Sequence, residues 1–185
     1  MKRTLSIAAL LVLMLATIIH VSVGEEVAER PPTVALDPPT SPGEARARAR
    51  LLHEVVHGAL QVVHRDFFDE EDIRAIPSAS LEDVFKEMSR SYGVEIKWLN
   101  VNTDEVNVDH QPATEFEKGA AKKLAAGEPF AEAIESDAYH FAGPIRLASQ
   151  CLKCHLKTRT STADRTAGLV ISMPYLASST EREQP

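Results

Sequence analysis

Two cysteines stand in the whole chain of 185 residues, and they lie three apart, followed at once by a histidine: Cys151-Leu152-Lys153-Cys154-His155. A disulfide between them would close too short a loop to restrict the unfolded chain much. Three other uses compete. A thioredoxin-like redox pair wants the motif at a helix N-terminus after a strand. A zinc site needs two further Cys or His ligands in tetrahedral reach. Attachment of a c-type haem uses both thiols for thioether bonds to the porphyrin vinyls and the adjacent imidazole for the iron.

The N-terminus bears on that choice. Lys2 and Arg3 precede an apolar run from Leu5 to Val23, closed by Ser22-Val23-Gly24 before Glu25. Residues 1–24 therefore read as a signal peptide, or, if uncut, as a membrane anchor, since such a run is long enough to span a bilayer. The remainder is expected outside the cytoplasm, periplasmic or otherwise exported. A histidine directly after the second cysteine, in an exported chain, favours one covalent haem c over zinc or thiol chemistry. Without Lys2 and Arg3, 18 basic residues face 27 acidic ones, a formal charge of −9. That balance disfavours nucleic acid and anionic membrane partners, which reward clustered Lys and Arg.

Residues 25–43 carry Pro31, Pro32, Pro38, Pro39 and Pro42 and are expected to form an extended tether. From Glu44 to about Phe68 the pattern is helical, with Leu52, Val55, Val56, Ala59, Leu60, Val63 and Phe67 at three- and four-residue steps. His53, His57 and His64 fall within about 40° of one another on that helix, beside Leu60. Each is read as a half-exposed polar border of the apolar stripe, or as a second axial ligand of the haem. Ser80 is expected to cap a second helix, with Asp83 in its first turn and Gly93 at its end. Strands are expected at 94–101, at Val106 and Val108, at 138–147 with a break near Gly143-Pro144, and at 168–175; Thr114 opens a third helix. The tail from Ala177 to 185 is polar. Helices followed by mixed strands and helices give an α+β domain over 44–176 with a mostly antiparallel sheet.

The run Tyr139-His140-Phe141-Ala142-Gly143-Pro144-Ile145, leading into Cys151-Leu152-Lys153-Cys154-His155 and closing with Gly168-Leu169-Val170-Ile171-Ser172, resembles the PAS-like c-type haem domains. These occur in exported cyanobacterial and proteobacterial proteins and in the sensor regions of histidine kinases. The resemblance covers roughly residues 44–175. It implies a sheet cradled by helices, a long N-terminal helix over the haem, covalent attachment through Cys151 and Cys154, and ligation by His155. Part of the family takes its opposite axial ligand from a cysteine on the N-terminal helix. This chain has no third cysteine, so a histidine is the expected replacement: His64 first by position, His57 second. Met88, Met173, His110, His140 or an open iron are the alternatives. Arg146 is the expected partner of the haem propionates, a geometry suited to its fork. A solvated basic loop of Lys153, Lys157, Arg159 and Arg165 is the plainer reading of that cluster.

The function expected from these readings is electron transfer or redox sensing, with an unidentified redox or signalling protein as partner. A gas sensor with a labile sixth site is the alternative. Peroxidase-like catalysis would need an assembled acid–base pair, and the sequence shows none.

Overall fold

The computed structural model describes residues 36–67, 77–103, 107–147, 163 and 165–177. Among these, three helices and four strands build an α+β, PAS-like fold: α1 (Pro42–Phe67), α2 (Pro77–Tyr92), β1 (Glu95–Asn100), a 3-10 turn (Val108–His110), α3 (Glu115–Ala125), β2 (Ala131–Glu135), β3 (Ala138–Leu147) and β4 (Arg165–Pro174). The strands form one antiparallel sheet in the order β1-β4-β3-β2, with Trp98 opposite Leu169 and Phe141 opposite Ile171.

Alternation along the strands separates two faces. Ile96, Trp98, Tyr139, Phe141, Ile145, Leu169, Ile171 and Met173 face α1 and α2. Leu99, Ala142 and Val170 face α3, where Ala120, Ala121 and Leu124 close the second layer. Gly168 permits that close approach: a Cβ there would stand 3.2 Å from both Leu124 Cδ1 and Leu99 Cβ.

Helix α1 lays Ala45, Ala49, Leu52, His53, Val56 and Leu60 toward the sheet, a narrower stripe than its sequence suggests. Val55 and Phe67 remain 60% and 79% exposed, because a single sheet face covers only one side of the helix. Arg46 of α1 ties down the far edge through Glu132 of β2, donating from Nε to Oε2 at 2.7 Å, and Tyr139 also donates to Glu132.

Several expected boundaries move. The second helix begins at Pro77, not after a Ser80 cap; proline's fixed φ and missing N–H suit a first helical position. Asp83 accordingly lies beyond the first turn and pairs with Lys86 at 2.8 Å. Gly93, at φ +65°, ends the helix as expected, its N–H donating to Ser89 O at 2.9 Å. Val108 belongs to the 3-10 turn rather than a strand; Val106 lies outside the described residues. Strand β3 runs unbroken through Gly143-Pro144. Pro144 there sits opposite Gly168. The end of the expected tether is part of the fold: Pro39 is fully buried, and its carbonyl accepts from Leu176 N–H at 3.1 Å.

Candidate functional site: a cavity at the end of the sheet

The last turns of α1 run past the sheet, and the space they overhang is a cavity of about 380 Å³. Its floor is the end of the sheet where β1 and β3 finish and β4 begins. Leu60, Trp98, Leu99, Ile145 and Leu147 supply apolar walls; His64, Asn107, His110 and Arg146 add a few polar groups. That size and mixture suit a small-molecule or cofactor site, which is typically concave, mostly apolar and marked by few polar groups. Trp98 is fixed in that wall: its Nε1–H donates to Ser78 O at 3.1 Å at the start of α2, and its ring packs 5.1 Å from Phe85.

The three helix histidines, similar by helical angle, part company in the fold. His64 is half-buried on the cavity wall. His57 does not line the cavity; its Nε2 lies 3.2 Å from Gln61 Nε2. His53 is not a half-exposed border residue but is 5% exposed, over the middle of the sheet. Its Nε2 has no hydrogen-bond partner of good geometry and lies against Gly143, and burial holds its imidazole below the ordinary value, against the opposing pull of Glu54.

The other expected candidates also find places. Arg146 lines the cavity. His140 Nδ1 lies 2.8 Å from Ser172 Oγ on the α3 face, under Phe116. Met173 is buried in the core and Met88 packs against it, as ordinary hydrophobes. Cys151, Cys154 and His155, with Lys153, Lys157 and Arg159, lie outside the described residues. The chain that carries them leaves the sheet at Leu147 and returns at Arg165, residues that face each other in the register. Among the described residues no three His, Cys, Asp or Glu side chains converge as a metal cage. A porphyrin-held iron would ask for one imidazole from this side.

The sequence offered His110 only as an alternative iron ligand, and the fold makes it a wall of the cavity. It is brought in by the 3-10 turn, which Asn107 caps by accepting Asp109 N–H at 3.0 Å. The Asn-x-Asp-His spacing was the available signal, since an Asn side chain two residues before a backbone N–H commonly closes such a turn.

No curated protein matches the chain. Among solved structures, the crystal structure of the cyanobacterial haem protein Tll0287 superposes with a TM-score of 0.50 at 13% identity, covering 74% of this chain and 96% of that one. At that identity the likeness concerns the fold. The model of the family described as Tll0287-like matches residues 41–170, most of the chain and the whole of the α+β domain up to the middle of β4. The chain belongs to the Tll0287-like family.

Proposed function

We propose that this chain is an exported haem protein, holding one haem c through Cys151, Cys154 and His155, with His64 as the second axial ligand, and that it carries an electron or reports redox state. One observation supports this above the others. The segment bearing the motif is strung between two strand ends that border the cavity, and Cys151 follows Leu147 by four residues, a reach of at most about 14 Å. The solved Tll0287 structure is described as that of a haem protein, which agrees.

The cavity's side chains fit such a group. Leu60, Trp98, Leu99 and Ile145 offer apolar contact to a flat macrocycle, His64 offers an imidazole from a helix, and Arg146 offers a guanidinium for a carboxylate. When bound, the haem supplies one-electron chemistry; the protein holds it, shields it and sets its ligand field. His57, outside the cavity, becomes the weaker choice. Export follows from the apolar run of 1–24, and cell fractionation of the full chain tests it.

The reading is tested on protein expressed with cytochrome c maturation machinery. The pyridine haemochrome spectrum is expected to report two thioether bonds, with haem retained through acid-acetone extraction. Carbon monoxide is expected to leave the unaltered protein's spectrum unchanged. His64→Ala is expected to turn the spectrum high-spin and open it to carbon monoxide, while His57→Ala does neither. Colourless protein of apoprotein mass would overturn haem attachment. Unchanged spectra in both variants would overturn the helix-histidine ligand, and carbon monoxide binding by the unaltered protein would turn the reading toward ligand sensing.

A further inference from the structure

A second cavity, of about 370 Å³, lies between α2, β1 and the 3-10 turn. From α2 it is lined by Glu82, Phe85, Lys86 and Ser89, the three- and four-residue steps of one helix face. From β1 it is lined by residues 95–98 without a gap. Successive strand side chains point to opposite faces of a sheet, so a space bordered by four in a row runs along the strand's edge. One edge of β1 is paired with β4, and the cavity therefore lies along the other. It is a groove about 10 Å long, the rise of seven helical residues or of three steps of strand, with Asp109 and His110 as its remaining wall.

That outer edge is open. β1 is the last strand of the sheet, and among the described residues no backbone hydrogen bond reaches it from outside the β4 ladder. An unpaired edge is a template for another strand, and proteins usually blunt it with proline, a bulge or a free lysine. β1 has neither proline nor bulge, its register with β4 running unbroken from Glu95 to Asn100. Its lysine is engaged: Lys97 Nζ donates to Glu117 Oε2 at 2.9 Å and to Gln111 O at 3.2 Å.

The lining fixes what kind of strand fits. Phe85, Ile96 and Trp98 give an apolar floor beneath α2. The rim is charged, and its charges do not cancel. Both ammonium groups are spent outside the groove, Lys86 on Asp83 at 2.8 Å and Lys97 on Glu117. Of the carboxylates, Glu82 lies 3.1 Å from His110 Nε2, while Glu95 and Asp109 have no ion-pair partner among the described residues. The groove thus offers apolar contact below and uncompensated negative charge along its rim.

We propose that this groove docks an extended segment of a partner protein in which Lys or Arg alternates with apolar residues. The segment adds a fifth strand to the sheet outside β1. Its main chain bonds to the open edge, its apolar side chains lie against Phe85 and Ile96, and its basic side chains reach Glu82, Glu95 and Asp109. Trp98 and His110 also line the sheet-end cavity, so a partner held here lies one side chain away from that cavity. The docking surface is built from the sheet and α2 alone and stands whether or not haem is attached.

The test uses the full chain and a blocked hexapeptide of alternating valine and lysine, with a valine–glutamate peptide beside it. Titration calorimetry reads binding, and amide hydrogen exchange reads where the peptide lies. The expected result is binding of the valine–lysine peptide alone, weakening as salt is raised, with exchange of the open-edge amides of β1 slowed at least about fivefold. Glu95→Lys with Asp109→Lys is expected to weaken that binding at least about tenfold at an unchanged melting temperature, since neither carboxylate has a partner to lose. Absence of binding, binding that leaves the β1 amides unprotected, or equal binding of the glutamate peptide overturns the proposal. So does a chain that dimerises with its β1 amides protected, which makes a second copy the occupant.

Discussion

At Gly143 the backbone of β3 comes so near α1 that a Cβ would lie 2.5 Å from His53 Nε2 and 3.0 Å from Phe141 Cε1. Only glycine leaves room for that imidazole. Gly143→Ala must push His53 aside or lift the helix, and overpacking of this kind costs about 1–3 kcal/mol. Urea denaturation is expected to show that loss, and His53→Ala in the same chain is expected to recover part of it, a coupling that a double-mutant cycle reads directly. The same burial makes His53 an acid-sensitive point. Its folded-state pKa is lowered, mainly by desolvation, from an ordinary value of about 6.5. Above that value both states are neutral and the contact is fully stabilising. As pH falls below it, the unfolded chain takes the proton first, so stability declines until the folded-state value is passed. Urea midpoints are expected to drop between pH 7 and 5 and to drop less in His53→Gln. Nothing in the residue string separates His53 from His57 and His64. Their spacing places all three on one helical side, and only the position of the sheet beneath makes one a core residue and another a cavity wall.

Among the elements, α3 was the most legible. Thr114 accepts Glu117 N–H at 3.1 Å, and Glu117 reaches back to Thr114 N–H, a reciprocal capping box written into Thr-x-x-Glu. Glu117 does more than cap. Burial pushes its carboxyl up, but Ala113 N–H and the Lys97 ammonium of β1 outweigh that and hold it below the ordinary range. Thr114→Ala is expected to cost about 1 kcal/mol in chemical denaturation, since the N-cap bond to Glu117 N–H is lost without its neighbours changing. Strand β2 was illegible. Ala-Glu-Ala-Ile-Glu has poor strand propensity, and it pairs because Arg46 and Tyr139 hold Glu132 against the edge of β3. Strand β3 was read as broken because glycine and proline usually interrupt a ladder. Pro144 lies beyond Ala142, the last residue of β3 that β2 pairs, where β3 is a sheet edge and an edge tolerates proline, while Gly143 gives room to His53.

Across the whole molecule, a sheet with helices on both faces leaves a cavity at one end of its strands, with Trp98, Ile145 and Leu147 on its walls. Filling it with a covalently held macrocycle would bury those apolar walls. The haem-loaded chain is therefore expected to melt at least about 5 °C above the same chain made without maturation machinery, by scanning calorimetry at matched pH. Equal melting temperatures would speak against a haem seated in this cavity. The sequence alone determined the covalent chemistry open to this chain and the α+β layout, because thiol spacing and apolar periodicity are local properties. Which histidine meets the cavity, where Arg146 and His110 stand, and that Gly143 serves His53 were decided only in three dimensions. Those choices depend on where α1 crosses the sheet and how far it runs past its end, and such long-range packing leaves no periodic trace in the order of residues.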